Sequence, residues 1–223
     1  MTKRNLKRAA MFLAAVGASL ALSPNSLSSA PATPLAPVWA AADATYRIDA
    51  GQSRFMVKAF AGGFLSAFAH DHNIAIREFS GDVRFTFGTV EPASLQLRIK
   101  SASLAVTDKV SASDRQKIEG TMRDEVLETG KYPEITFKST GVSASKTGDG
   151  QFQARITGEL TLHGVTKPMT INAELEFGAS LMRARGGFSV KQSSFDIKPV
   201  SVAGGTVKVK DELKFTFDIV AKG

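Results

Sequence analysis

The sequence predicts an all-β fold, a single antiparallel β-barrel of about eight strands with one short amphipathic helix. Three observations carry that reading. Apolar and polar residues alternate with a period of two in segment after segment, as strands with one buried face must. One hairpin, Phe152 to Phe177, is legible outright. Period-four spacing occurs over a single stretch, from Ser111 to Glu128.

Residues 1–42 stand apart and read as a secretory signal peptide followed by a disordered leader. A basic start (Lys3, Arg4, Lys7, Arg8) precedes an apolar run shorter than the about 20 residues that a membrane span needs. Ala40-Ala41-Ala42 offers small residues for cleavage before Asp43, and Ala30-Pro31-Ala32 offers a second site. The remainder, 43–223, reads as one domain, periplasmic or secreted. The formal charge of +7 loses four basic and no acidic residues with the leader, leaving 24 basic against 21 acidic. Those charges alternate along strands rather than cluster, which argues against nucleic acid. The chain has no cysteine, so neither disulfides nor an acylated cysteine anchor enters the argument, and a domain of this size buries a sufficient core without them.

In chain order, Tyr46 to Ala50 begins the domain, and Phe55, Val57 and Ala59 then oppose Arg54, Met56, Lys58 and Phe60. An apolar, glycine-broken segment follows, with Phe64, Leu65 and Phe68. His70 and His72 share the parity of Ile74 and Ile76, and Gly81 is expected to break this strand from the next, where Val83, Phe85 and Phe87 face one way. Leu95, Leu97 and Ile99 form another strand. Ile118, Met122 and Val126 then recur every fourth residue, with Ser113 and Gln116 placed as a helix-capping pair. After Gly130, Ile135 and Phe137 resume the alternation, ahead of the hairpin. Met182, Ala184, Phe188 and Val190, then Leu213, Phe215, Phe217 and Ile219, complete it.

Alternation is unchanged when the faces are inverted, so composition must separate a soluble barrel from a membrane one. Aromatic girdles of Trp and Tyr are missing: the chain has one Trp, in the leader, and two Tyr. The Ile, Leu and Phe residues are therefore placed inside. The inward set mixes Phe with Ala50, Ala59, Ala154, Gly158, Ala173, Ala184 and Gly186. Such a barrel either fills with its own rings or leaves room for a slender ligand.

The run Tyr132-Pro-Glu-Ile-Thr-Phe-Lys-Ser139, the run Gly158-Glu-Leu-Thr-Leu-His-Gly-Val-Thr-Lys167 and the strand Phe79-Ser-Gly-Asp-Val83 resemble the YceI-like family of secreted bacterial proteins. The resemblance covers Tyr46 to Ala221. It implies a lipocalin-like barrel that binds a long isoprenoid or a related amphiphile. The helical stretch from Asp114 to Arg123 departs from the Arg-Asp-x-His-Leu arrangement common in the family.

The expected function is a binding or carrier protein for an apolar chain (polyisoprenoid, quinone or fatty acyl compound), not an enzyme, with no cofactor and with possible transient membrane contact. Its expected interior and mouth are Phe55, Val57, Phe60, Phe64, Leu65, Phe68, Ile74, Ile76, Phe137, Ser139, Phe188, Phe215 and Phe217. Phe64, Leu65 and Phe68 form either a portal or ordinary core over the barrel end. His70 and His72 are the expected head contacts, while His163 serves its turn. The alternatives are a metal-dependent enzyme built on His70, Asp71 and His72, and an envelope stress protein with a packed barrel. No nucleophile motif surrounds Ser139, and phosphate loops and dinucleotide fingerprints are missing.

Overall fold

The computed structural model describes residues 43–63, 70–86, 90–178 and 180–223. The leader and Phe64, Leu65, Phe68 and Phe87 lie outside the described residues. Strands β1 (Asp43–Ile48) and β2 (Arg54–Gly62) follow one path, bent at a 3-10 turn that Asp49 caps by accepting from Gln52 N–H. The pairs β3 (His72–Ile76) with β4 (Phe79–Thr86), interrupted at residues 77 and 78, and β5 (Ala93–Lys100) with β6 (Leu104–Val106), joined through a 3-10 turn at Ser101–Ser103, are likewise consecutive pieces of one path. Helix α1 (Ala112–Thr121) runs into a π-helical turn, Met122–Val126. The remaining strands are β7 (Glu134–Gly148), β8 (Gln151–Leu162), β9 (Val165–Phe177), β10 (Leu181–Lys191), the short β11 (Ser201–Val202) and β12 (Val207–Lys222).

With each bent pair taken as one, eight antiparallel strands succeed one another around a closed barrel. Closure is made by β12, which pairs with β2 from Lys208↔Gly62 to Asp218↔Arg54 and with β1 at Arg47↔Lys222 and Ile48↔Ala221. The apolar parity faces inward: Phe55, Val57, Ile99, Phe137, Leu160, Ile171 and Ile219 belong to one buried cluster. Outward, Arg183 holds Asp218 with two bonds of 2.5 and 2.6 Å, and Arg185 bridges Asp218 and Glu176. A charged network of that kind suits water and not lipid.

Two expectations about elements are corrected. Gly81 does not break a strand but lies inside β4. A Cβ there would strike the Gln96 carbonyl oxygen and come within 2.9 Å of Ile48 Cδ1, so a glycine permits the close approach of β5. The break falls at residues 77 and 78 instead. The helix cap is Ser111 and not Ser113: Ser111 Oγ accepts from Asp114 N–H at 3.1 Å.

The chain leaves the barrel wall after β6, which pairs with β3 and, among the described residues, has no partner strand on its other side. Side chains of α1 take up the exposed backbone groups. Glu119 accepts from Val106 N–H at 2.8 Å, and Arg115 donates to the Val106 and Asp108 carbonyls at 3.2 and 2.9 Å. The helix is thereby fixed across one end of the barrel. The π turn, closed by Leu127 N–H on the Met122 carbonyl at 2.9 Å, brings Met122, Val126 and Leu127 onto the core together with Ile118.

Candidate functional site

The barrel is hollow. It encloses a cavity of about 410 Å³, within the range of small-molecule pockets. Phe55, Val57, Ile74, Ile76, Phe137, Phe188, Phe215 and Phe217 all line it. Part of the interior is filled by rings: Phe188 stacks on Phe215 with centroids 4.8 Å apart, and Phe55 meets Phe79, Phe188, Phe215 and Phe217 edge-on at 6.0 to 6.4 Å. Phe188, Phe215 and Phe217 nevertheless keep partial accessibility although they point inward. Beyond those ring contacts, they border the open space of the cavity.

Three expected site residues lie elsewhere. Phe60 has the outward parity, and its ring carries the ammonium groups of Lys58, Lys210 and Lys214 at 5.1, 6.0 and 5.6 Å, a cation–π arrangement on the outer wall. Ser139 sits beside a bulge in β7, where its Oγ accepts from Leu95 N–H at 2.8 Å; this bond serves the sheet and the hydroxyl does not front the cavity. His70 precedes the first residue of β3, so strand parity does not reach it, and it is exposed.

The His70-Asp71-His72 run does not converge on one point. Asp71 turns to the outer wall, accepting from Ala61 N–H at 3.1 Å and meeting Lys58 Nζ at 3.2 Å. His72, opposite the buried Ala59, faces the cavity. Its Nδ1 lies 2.9 Å from Asp108 Oδ2. Among the described residues no three His, Asp or Glu side chains come together as metal ligands.

Asp108 is a residue that sequence reasoning missed. Burial works to raise its carboxyl, but bonds from the Asn73 side chain, from His72 and from the Asn73 backbone outweigh that and hold it below the ordinary aspartate value. A carboxyl held low contributes stability that is complete above its unfolded value and lost as pH falls through its folded one. Asp108→Asn is therefore expected to lose less stability than the parent between about pH 5 and about pH 3. Urea titrations at both ends of that window check this, and parallel losses would remove Asp108 from the account.

His163 does more than serve its turn. With φ of +52° it opens the two-residue β8–β9 turn, and Gly164 follows at +76°. Its Nε2 meets Glu128 Oε2 at 2.7 Å, and its ring packs on Tyr132 at 4.3 Å. This ties the segment after the π turn to the hairpin. His163 Nδ1 is buried with no hydrogen-bond partner among the described residues.

The opposite end of the barrel is plugged by Val90, which is 4% exposed and packs on Ala154, Ala173 and Leu175. Its φ is +65°, a left-handed conformation that costs a β-branched residue about 1–3 kcal/mol. Burial of the side chain, worth about 1.5–3 kcal/mol, offsets it. Val90 N–H on the Thr86 carbonyl (3.0 Å) and Ala144 N–H on the Glu91 carboxylate (2.5 Å) hold the plug in place.

A hollow eight-stranded barrel with one helix across its end agrees with the family that the sequence resembles, and residues 46–221 match the YceI-like domain. The chain belongs to the YceI-like family. Over 135 residues it is 32% identical to Protein YceI of Escherichia coli O157:H7, covering 60% of this chain and 59% of that protein. Over 157 residues it is 30% identical to a UPF0312 protein of Pseudomonas syringae pv. tomato, covering 66% and 72%. The match to a UPF0312 protein of Vibrio parahaemolyticus covers 46% of that protein, so the chain spans about half the length of some of the relatives it matches. Among solved structures, Burkholderia cenocepacia BcnA superposes with a TM-score of 0.59 at 21% identity, over 78% of this YceI-like chain and 99% of BcnA. A polyisoprenoid binding domain from Saccharophagus degradans, implicated in plant cell wall breakdown, gives 0.58 at 14% identity over 80% and 98%. At these identities the likeness is one of fold.

Proposed function

We propose that this YceI-like protein is an exported, periplasmic binding protein that carries or sequesters an apolar chain inside its barrel, and that it is not an enzyme. The observation behind the reading is the cavity, walled almost wholly by Phe, Leu, Ile, Val and Ala, with inward rings left partly uncovered. Removing a hydrocarbon chain from water into such a space is favourable by roughly 25 cal/mol per Å² before ordering costs. The polyisoprenoid binding domain that shares the fold supports an isoprenoid, quinone tail or fatty acyl chain as the class of ligand.

Native mass spectrometry of the protein isolated from its own envelope tests the reading. A stoichiometric apolar adduct, lost on organic extraction, is the expected result. Filling the cavity gives the complementary measurement. Ala184 lines it from β10, and Ala184→Phe is expected to weaken binding of a long-chain lipid by about tenfold or more. Unchanged affinity in that variant, together with bare protein in the spectrometer, would place any ligand outside the barrel.

A further inference from the structure

The outer wall made by β2 and β12 carries a cationic face. Its centre is Phe60, whose ring has the ammonium groups of Lys58, Lys210 and Lys214 at 5.1, 6.0 and 5.6 Å. Lys208 belongs to the same group, because its stem and that of Lys210 both pass over Gly62. All four lysines are exposed. Lys58 and Lys214 stand directly opposite each other in the register of β2 and β12. Like charges in that position destabilise a sheet, where an opposite pair would stabilise it. Relief from carboxylates is partial. Asp71 meets Lys58 Nζ at 3.2 Å and spends its other oxygen on Ala61 N–H, and Lys210 acts on the same carboxylate only through its field. The acidic residues of β12 are engaged toward β10: Asp211 accepts from Ser193 N–H and Oγ at 2.7 and 2.6 Å, and Glu212 stands opposite Lys191. Among the described residues no carboxylate forms an ion pair with Lys208, Lys210 or Lys214.

From this juxtaposition we propose that the β2–β12 wall docks on an anionic bilayer, with Lys58, Lys208, Lys210 and Lys214 on lipid phosphates and Phe60 against the headgroup layer. The like-charge opposition of Lys58 and Lys214 is a cost that a sheet of phosphates removes. The chemistry of the cluster favours that partner over a single fixed anion. Its cations are lysines, point charges on flexible stems, which suit a diffuse field of phosphates, whereas recognition of one oriented carboxylate or phosphate favours the forked guanidinium of arginine. The ring among them adds apolar contact of the kind that lipid interfaces accept. The face also lies beside the end of the cavity that α1 crosses. Ala59, between Lys58 and Phe60, stands opposite His72, which meets Asp108, and Arg115 of α1 holds the Asp108 carbonyl. Docking therefore brings that end of the barrel to the membrane. The proposal stands on the outer wall and does not require a ligand inside the barrel.

Co-sedimentation with vesicles tests it, using protein isolated from its own envelope. The vesicles are phosphatidylcholine alone, or phosphatidylcholine and phosphatidylglycerol in equal parts. The parent is expected to bind the mixed vesicles in preference, and to release them as salt is raised. Lys210→Gln combined with Lys214→Gln should weaken that binding by about 25-fold, about fivefold for each lysine near an anionic surface. The same pair of substitutions ends the opposition to Lys58, so the urea midpoint should hold or rise while binding falls. Lys138→Gln combined with Arg155→Gln takes two positive charges from exposed positions on β7 and β8, across the ring of strands, and should change binding by less than about twofold. Equal binding to the two kinds of vesicle, or equal losses in the two double variants, would overturn the proposal. So would tighter binding to polyglutamate than to mixed vesicles of the same charge concentration, which would assign the face to an acidic protein. An apolar adduct in the spectrometer from a protein that ignores both vesicles would keep the cavity reading and remove this one.

Discussion

Phe137→Asp is expected to leave no folded protein. Phe137 lies on β7 with 3% of its surface exposed, pressed against Gly158 of β8 and bordering the cavity. An aspartate there would hold its carboxylate among hydrocarbon groups without a partner, at a cost of at least about 4–5 kcal/mol. That is comparable with the whole stability of a domain, about 5–15 kcal/mol. The next residue supplies the comparison, because Lys138 faces outward opposite Glu159. Lys138→Asp sets two like charges across the strands and should cost no more than about 1 kcal/mol. Circular dichroism and gel filtration of the two variants decide the matter. A folded Phe137→Asp protein of parental stability would reverse the inward assignment of the alternating face, and Phe215→Asp repeats the test on β12.

Gly158→Val is the second large effect. Gly158 occupies an inward position between Ile156 and Leu160, where any other member of that parity carries a side chain. A Cβ there would lie 2.5 Å from the Lys138 carbonyl oxygen and 2.5 Å from Phe137 Cζ. The ring can rotate away, but the carbonyl belongs to the β7 backbone and cannot. Overpacking against main chain should cost about 3–5 kcal/mol, at the upper end for single substitutions. The double variant Gly158→Ala with Phe137→Leu removes the ring contact and keeps the carbonyl contact, so it should recover only part of the loss. Urea midpoints measure this. A Gly158→Ala protein with an unchanged midpoint would mean that β7 and β8 sit farther apart than their register implies.

The sites that sequence reasoning misplaced share a cause. His70 and His72 have the same parity, but parity carries information only inside a strand, and β3 begins at His72. Phe60 entered the expected site because it is apolar, although its own parity pointed outward. Three lysines brought from β2 and β12 cover its ring there. Ser139 was inward by count, yet the bulge after it leaves its hydroxyl to a neighbouring strand.

Neighbouring residues set the local geometries: which stretches alternate as strands, which face of each is apolar, where the long hairpin turns, and where a helical period replaces the alternation, although the helix cap fell at Ser111 rather than Ser113 and the strand break at residues 77 and 78 rather than at Gly81. Each of these is written in neighbouring residues, because the pleat and the helical turn repeat over two and about 3.6 residues. The tertiary structure alone decided that the barrel is hollow, that Val90 plugs one end in a left-handed conformation, and that His72 is oriented by Asp108, 36 residues further on. A void is what remains after side chains from all eight strands have packed. Its size depends on how residues far apart in the chain meet across the barrel, and no local period records that.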